Sequence, residues 1–193
     1  MLSELLKNKN LFYQLFLIDK ETAEQYRQKK CPYCGGTLHY ANYYRKPRGE
    51  PEDIDEQCFI RFSLCCSQEG CRRRIIPHSC RFLGRKVYWF VNILIVVYEC
   101  QNSEDCIFRL SKLYDISRYT LKRWLLFFKS VFPVSSQWQK IRGLVKASIK
   151  NSELPSGLVK FLLNTKARTQ DAVVSCLKFL SQGFSLHIKI RDG

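Results

Sequence analysis

Cys31-Pro32-Tyr33-Cys34-Gly35-Gly36 is the stretch that decides the fold, because two cysteines in CxxC spacing followed by glycines form one half of a metal clamp. The glycines permit a tight turn that aims backbone amides at the thiolates, where larger side chains would crowd the metal. Cys66-Ser67-Gln68-Glu69-Gly70-Cys71 is a credible second half. Four thiolates close a tetrahedral coordination sphere, so the sequence predicts a structural Zn²⁺ ion bound by Cys31, Cys34, Cys66 and Cys71.

The second half of this clamp has competitors among the neighbouring cysteines. Cys66 is preferred because it shares one strand parity with Leu64, and Gly70 gives the turn before Cys71 its freedom. Cys65 is the first substitute for Cys66, and the other competing cysteines are Cys58 and Cys80. His78 with Cys80 lacks two further ligands for a second site. The remaining cysteines lie among apolar residues and are interpreted as small core side chains: Cys100, Cys106 and Cys176.

The positive charge of the chain is localised. The 193 residues carry a formal net charge of +15, with seven basic residues against one acidic in 57–86 and ten against three in 104–150. Residues 1–56 are balanced, and 50–56 form an acidic loop tip. A concentrated basic surface is what a polyphosphate partner selects. The charge therefore favours nucleic acid as the partner.

A helix-turn-helix pattern occupies the second basic region. Leu110 and Leu113 are placed on one face of a first helix, a turn follows at Tyr114-Asp115, and Ile116 packs between the helices. Ser117 is predicted to cap the second helix, whose buried stripe is Leu121, Trp124, Leu125 and Phe128. The turn position that usually carries glycine is Asp115, which tolerates positive φ better than most residues. The predicted DNA-binding residues are Ser117, Arg118, Tyr119, Thr120, Lys122 and Arg123, with Arg72, Arg73 and Arg74 beside the metal clamp.

The predicted fold class is α+β, mainly α: a small zinc-ribbon β-hairpin unit followed by a helix-turn-helix and a short helical tail. The predicted division is 1–28 (N-terminal helix), 29–84 (zinc ribbon), 85–132 (helix-turn-helix) and 133–193 (C-terminal helices). Strands are expected at 38–45 and 59–64. Helices are expected at 3–28, 86–101, 104–114, 117–131, 135–150, 155–163 and 169–181.

No export or membrane segment is expected. The N-terminus lacks the pattern of a secretory signal, so the thiols are expected to stay reduced. The apolar run from Val87 to Tyr98 is shorter than the roughly 20 residues that span a bilayer and is interpreted as a buried helix. The sequence therefore predicts a cytoplasmic protein with no membrane partner.

The order CPYCGG, RFSLCCSQEGCRRRIIP, RFLGRKVYW and then the helix-turn-helix resembles zinc-ribbon plus helix-turn-helix proteins of bacterial insertion sequences. These are the DNA-binding parts of transposases and their accessory proteins, and the resemblance covers about residues 28–135. It implies zinc held by the four chosen cysteines, a recognition helix that starts at Ser117, and a transposase as a further partner at the bacterial nucleoid. Helix-turn-helix proteins commonly bind two-fold sites, so a homodimer is expected.

The sequence favours a binding protein over an enzyme. Only three acidic residues follow residue 132, the three histidines are scattered, and no phosphate-binding glycine loop is present. Two other binding functions stay open. RNA binding would use Tyr40, Tyr43, Tyr44 and Phe59 to stack unpaired bases. A protein-interaction adaptor would instead dock a transposase on the ribbon.

Overall fold

Helices dominate the computed structural model, which describes residues 2–49, 51–101, 105–145, 149–184 and 186–188. The α-helices are α1 (Lys9–Gln28), α2 (Phe90–Gln101), α3 (Cys106–Leu113), α4 (Arg118–Leu126), α5 (Ser136–Arg142), α6 (Ser156–Thr165) and α7 (Thr169–Ser181). The strands are β1 (Leu38–Tyr40), β2 (Tyr43–Tyr44), β3 (Ile60–Arg61), β4 (Leu64–Cys66), β5 (Arg74–Ile76) and β6 (Leu186–Ile188). The class predicted from the sequence, α+β and mainly α, is confirmed.

The predicted helices form, with shifted ends. The first is divided at Asn8, whose side chain accepts a hydrogen bond from the backbone amide of Asn10, so a 3-10 helix at Leu2–Lys7 precedes α1. The helix predicted at 86–101 begins only at Phe90. The helix predicted at 117–131 is α4 followed by a π-helical turn at Phe127–Val131. The helix predicted at 135–150 is α5, which ends at Arg142. Residue 104 of one predicted helix and residues 146–148 of another lie outside the described residues.

The strands form an interrupted hairpin. β1 pairs antiparallel with β4, and β2 pairs antiparallel with β3, with Tyr40 opposite Leu64 and Tyr43 opposite Arg61. Each predicted strand is therefore broken in two, and Phe59 lies in a 3-10 turn rather than in a strand. β4 also pairs with β5, and β6 returns from the C-terminal region to pair with β5. β6 lies in the region after residue 133, where the sequence predicts only helices, so that part of the prediction is wrong.

A large hydrophobic core joins most of the helices. It contains side chains from all four predicted segments, among them Leu11, Phe82, Trp89, Phe132 and Leu177. α2 lies at its centre, since every residue from Phe90 to Val97 is buried. The part of the apolar run from Phe90 to Val97 is thus a buried helix, as predicted, whereas Val87 precedes the helix and is 60 % exposed. None of the described helices has the length and apolarity needed to cross a membrane. The boundaries of the four segments stay a prediction.

A separate small core lies beside the cysteines. Its buried members are Cys31, Leu38, Leu64, Cys66 and Ile75, with Tyr26 and Cys71 packed against them. Three aliphatic side chains bury too little apolar surface to stabilise a four-stranded sheet of such short strands. This part of the chain needs another source of stability.

A buried ion pair connects α1 to the segment after β5. Asp19 and Arg81 are 1 % and 0 % exposed, and Arg81 Nε lies 2.7 Å from Asp19 Oδ2. The same carboxylate accepts the backbone amide of Cys80 and the hydroxyl of Ser79. Arg81 also donates to the carbonyl oxygens of Cys58 and Ile60, so one guanidinium links the base of the hairpin to α1.

Candidate metal centre and cationic helix

The four predicted metal ligands come together in the structure. Cys31 and Cys34 lie in the loop between α1 and β1, Cys66 ends β4, and Cys71 lies in the loop before β5. The antiparallel register places Leu38 opposite Cys66, which brings the two loops side by side. All four sulfur atoms lie within 4.8 Å of one another. Cys66 and Cys71 therefore complete the cluster with Cys31 and Cys34, and Cys65 is not part of it.

The spacing of the sulfur atoms suits one thiophilic ion. Cys31 Sγ lies 3.8 Å from Cys71 Sγ, and Cys34 Sγ lies 3.4 Å from Cys66 Sγ. A tetrahedron with metal–sulfur bonds of about 2.3 Å has edges of about 3.8 Å. All ten cysteines of the chain are free thiols, so none of the four is engaged in a disulfide. The tetrad can therefore hold a metal ion, and four thiolates leave no position for a reacting water.

Backbone amides surround the tetrad. Burial raises the pKa of the Cys31 thiol, but hydrogen bonds from the amides of Tyr33 and Cys34 outweigh it and lower that pKa to about 7. Each of the other three cysteines also receives an amide from two positions further along the chain: Gly36, Gln68 and Arg73. Amides aimed at sulfur stabilise the charged thiolate, which is the form that binds metal. The arrangement repeats at all four ligands, but it lowers the pKa only at Cys31. At Cys34, Cys66 and Cys71 burial and the neighbouring thiols outweigh the amide and raise the pKa of the thiol.

The glycines around the tetrad serve different purposes. Gly35 has a φ of 73°, and a Cβ on Gly36 would collide with the Gln68 side chain and lie 3.1 Å from Cys66 Sγ. Both glycines of the first half are therefore needed, as predicted. The expectation for Gly70 is wrong: its φ is not positive, and Arg72 instead takes the left-handed conformation at 41°.

The remaining cysteines lie outside this centre. Cys65 is half-buried on the opposite face of β4, and no second cluster of ligands is found in the part of the chain that the structure describes. Burial raises the pKa of the Cys80 thiol to about 12, and His78 Nδ1 lies 3.3 Å from the hydroxyl oxygen of Tyr26. Cys106 and Cys176 are fully buried, as predicted for core residues, and the half-buried Cys100 lies 3.1 Å from Cys106, sulfur to sulfur.

The three arginines after Cys71 do not form one basic strip. Arg72 is exposed, while Arg73 lies over the ring of Tyr33, with 3.9 Å from its Cζ to the ring centroid. Arg74 is half-buried in β5, and its Nε is buried without a hydrogen-bond partner among the described residues. Arg72 is therefore the member of this predicted set that is most open to solvent.

α3 and α4 form the predicted pair of helices. Ser117 Oγ accepts a hydrogen bond from the Thr120 amide at 3.2 Å and caps α4 as expected. Asp115 has a φ of 48°, the left-handed conformation predicted for the turn. Leu110, Ile116 and Leu121 are buried. The placement of Leu113 is wrong, because this side chain is 57 % exposed and packs on nothing in the core.

One side of α4 is cationic and open to solvent. Leu121 and Trp124 are buried on the inner side, and Tyr88 packs edge-on against Trp124. The outer side carries Arg118, Tyr119, Lys122 and Arg123, which are exposed, with Ser117 exposed and Thr120 half-buried at the start of the helix. Within the described residues, no carboxylate forms an ion pair with Arg118, Lys122 or Arg123. Among the described residues, the positive charge of this face is therefore not neutralised by an acidic side chain.

Sequence reasoning missed the cations next to this helix. Lys112 and Arg118 both lie on the ring of Phe108, and Lys86 lies on the ring of Phe127. The i, i+4 spacing of Phe108 and Lys112 was readable from the sequence. The approach of Lys86 to α4 depends on the tertiary packing of α2 against α4 and carries no local signal.

Comparison of the chain with protein-family models, with curated proteins and with solved structures gives no match. The candidate sites are therefore interpreted from their own geometry and chemistry.

Proposed function

We propose that this protein is a zinc-stabilised, sequence-specific double-stranded DNA-binding protein of a bacterial mobile element, acting as a transposition accessory protein or regulator. The observation that carries the proposal is the outer face of α4, where four exposed residues that suit DNA contacts oppose a buried apolar stripe. In this reading α4 is a recognition helix. Its arginine and lysine side chains address guanine acceptors or phosphates in the major groove.

The cysteine tetrad supports the zinc assignment. Four thiolates with backbone amides directed at them match a closed structural site, and zinc is the ion that such sites hold most often. In the proposal the ion orders the small core and fixes the loop that carries Arg72. Arg72 then supplies a phosphate contact separate from α4.

The mobile-element assignment rests on the order of the two motifs and on the resemblance described above. A cytoplasmic, nucleoid-associated location follows from free thiols in a DNA-binding protein. A transposase and a second copy of the chain complete the proposed set of partners. The protein is proposed to act by binding rather than by catalysis.

The decisive experiment measures duplex binding by fluorescence anisotropy. The zinc-loaded protein is first used to select its preferred site from a random duplex library, and affinity is then measured from low to physiological salt. The double variant Lys122→Glu, Arg123→Glu should lose roughly tenfold or more in affinity, because two attractive phosphate contacts become repulsive. The control Lys160→Glu reverses an exposed charge on α6 and should bind more nearly as the wild type does.

Failure would be visible in two ways. A wild-type protein that binds no duplex at low salt contradicts DNA binding altogether. Charge reversals on α4 and α6 with equal effects would contradict the assignment of α4 as the contact face. If a transposase is captured equally by wild type and double variant while DNA is not bound, the adaptor function replaces the proposal.

A second candidate function is RNA binding, because Tyr40, Tyr43 and Tyr44 are 44 %, 37 % and 60 % exposed. Exposed tyrosines near basic residues can stack unpaired bases. Phe59 does not belong to this set, since it is 3 % exposed and packs against Trp89. Competition of single-stranded RNA against the selected duplex at matched salt separates the two functions.

A further inference from the structure

Two cations from different helices meet on one exposed ring at the start of α4. Lys112 Nζ of α3 lies 4.4 Å from the ring centroid of Phe108, and Arg118 Cζ of α4 lies 5.1 Å from it. Phe108 is 50 % exposed and belongs to neither core. Burial of apolar surface does not explain this ring, because half of it is exposed. Its contacts with two cations instead indicate an electrostatic role.

A second pair of cations lies at the other end of α4. Lys86 Nζ lies 4.9 Å from the ring centroid of Phe127, the residue that directly follows the helix. Arg123 lies four positions before Phe127, and burial, with the charge of Arg123 after it, lowers the pKa of Lys86. Arg123 Cζ in turn lies 5.7 Å from the ring centroid of Tyr119.

These cations contact aromatic rings and not carboxylates. None of Lys86, Lys112, Arg118 and Arg123 is ion-paired to an acidic side chain in the described part of the chain. Asp115, the exposed acid of the turn between α3 and α4, pairs with none of them. A ring orients a cation without cancelling its charge, so each cation keeps its full attraction for an external anion.

The distance along α4 between Arg118 and the ring that holds Lys86 is close to the width of a DNA groove. Phe127 lies nine positions after Arg118, which at about 1.5 Å per residue is about 13.5 Å along the helical axis. The major groove of B-form DNA is about 12 Å wide, with a phosphate strand on each side. Between the two pairs lie Tyr119 and Lys122, on the outer face.

We propose that Lys112 with Arg118 on Phe108, and Lys86 with Arg123 next to Phe127, are two phosphate clamps that grip the two backbone strands bordering the groove that α4 enters. This inference rests on the proposed function and deepens it by assigning Lys86 and Lys112 as phosphate contacts. Phe108 is assigned as a positioning residue. It contacts no phosphate itself but holds two cations in one place.

The test is the salt dependence of duplex binding by Lys86→Met, Lys112→Met and the matched control Lys160→Met. Each clamp variant should lower the slope of log K against log salt by about 0.9, the value for one lost phosphate contact. The loss should be equal for the selected site and for a scrambled duplex, because phosphates carry no sequence information. Lys160→Met removes the same charge from α6 and should leave the slope unchanged.

Phe108 is tested with Phe108→Leu and Phe108→Trp. Phe108→Leu keeps both cations, so the slope should be preserved while affinity falls about fivefold. Phe108→Trp, which offers a stronger cation–π surface, should restore wild-type affinity or exceed it. Circular dichroism of all variants verifies that the helices are retained.

The outcomes separate the two proposals. If the wild type binds duplex and the α4 double charge reversal impairs it, but Lys86→Met and Lys112→Met keep the wild-type slope, the clamps are wrong and the proposed function stands. If Phe108→Trp is as weak as Phe108→Leu, the positioning role of Phe108 is wrong. If the wild type binds no duplex, both proposals are overturned.

Discussion

The small core and the large core of this chain are built on different principles. The large core contains aromatic and aliphatic side chains from seven helices and from the hairpin, and it buries most of the apolar surface of the chain. The small core has three aliphatic residues, Tyr26 and three of the four tetrad cysteines, and each of the four strands of its sheet is only three residues long. This contrast indicates that a short β-sheet next to a well-packed helical core can depend on a metal ion for its own folding. Removal of the metal should therefore unfold the small core and leave the large core folded.

Cys34→Ser should have the largest effect on stability, and it should unfold only the small core. Structural zinc contributes about 10–16 kcal/mol in small zinc domains, so loss of one thiolate should unfold the small core. Amide hydrogen exchange should show lost protection in β1, β4 and β5 while the amides of α2 and α7 stay protected. Cys65→Ser is the matched control, because Cys65 is adjacent to a ligand in sequence yet lies outside the tetrad.

Equal loss of protection in both regions after Cys34→Ser would mean that the small core does not fold independently of the large one. Unchanged protection would mean that the tetrad does not stabilise the small core.

Asp19→Asn should have the next largest effect, because it cuts the link between α1 and the base of the hairpin. Removing one partner of a buried ion pair leaves the Arg81 guanidinium uncompensated, at a cost of about 3–5 kcal/mol. The free energy of unfolding in urea is the measurement. Asp53→Asn, which breaks the exposed pair with Lys9, should cost less than about 1 kcal/mol. Comparable losses in the two variants would contradict the assigned role of the buried pair.

The sequence predicted local features well and tertiary ones poorly. The CxxC spacing, the strand parity of Cys66, the cap at Ser117 and the left-handed Asp115 depend on neighbours in the chain. The link between Asp19 and Arg81 joins residues 62 positions apart, and nothing in the composition of α1 marks Asp19 as buried.

The errors have the same origin. Arg74 is half-buried in β5, whose antiparallel pairing with β6 joins segments that are distant in the sequence. Leu113 follows the helical period of a buried residue, yet the core ends before it. Phe59 was expected among exposed strand residues, but the 3-10 turn directs it into the large core.

Ser117→Ala should destabilise the α3–α4 region by about 1 kcal/mol, since the α4 amide loses its side-chain acceptor. Exchange of α4 amides should quicken, while the small core should be unaffected. Ser130→Ala, in the exposed part of the π-helical turn, is the control and should change stability by less than about 0.5 kcal/mol. A Ser117→Ala variant as stable as this control would show that the cap contributes nothing.

Asp115→Gly should have the smallest effect of the series. Relief of the left-handed conformation, about 1–2 kcal/mol, is largely offset by the backbone entropy of glycine, about 0.5–1 kcal/mol. Thermal unfolding should therefore show a slight stabilisation. Asp115→Val, which places a β-branched residue at positive φ, should instead destabilise the turn by more than about 1 kcal/mol. Equal stability of the glycine and valine variants would contradict the conformation described for the turn.

The metal content of the purified protein shows directly whether a bound ion orders the small core. Native mass spectrometry of the purified chain, paired with elemental analysis, should find one zinc ion per chain in the wild type and in Cys65→Ser. Cys34→Ser should contain far less. A wild-type protein that folds its small core with no bound metal would contradict the account.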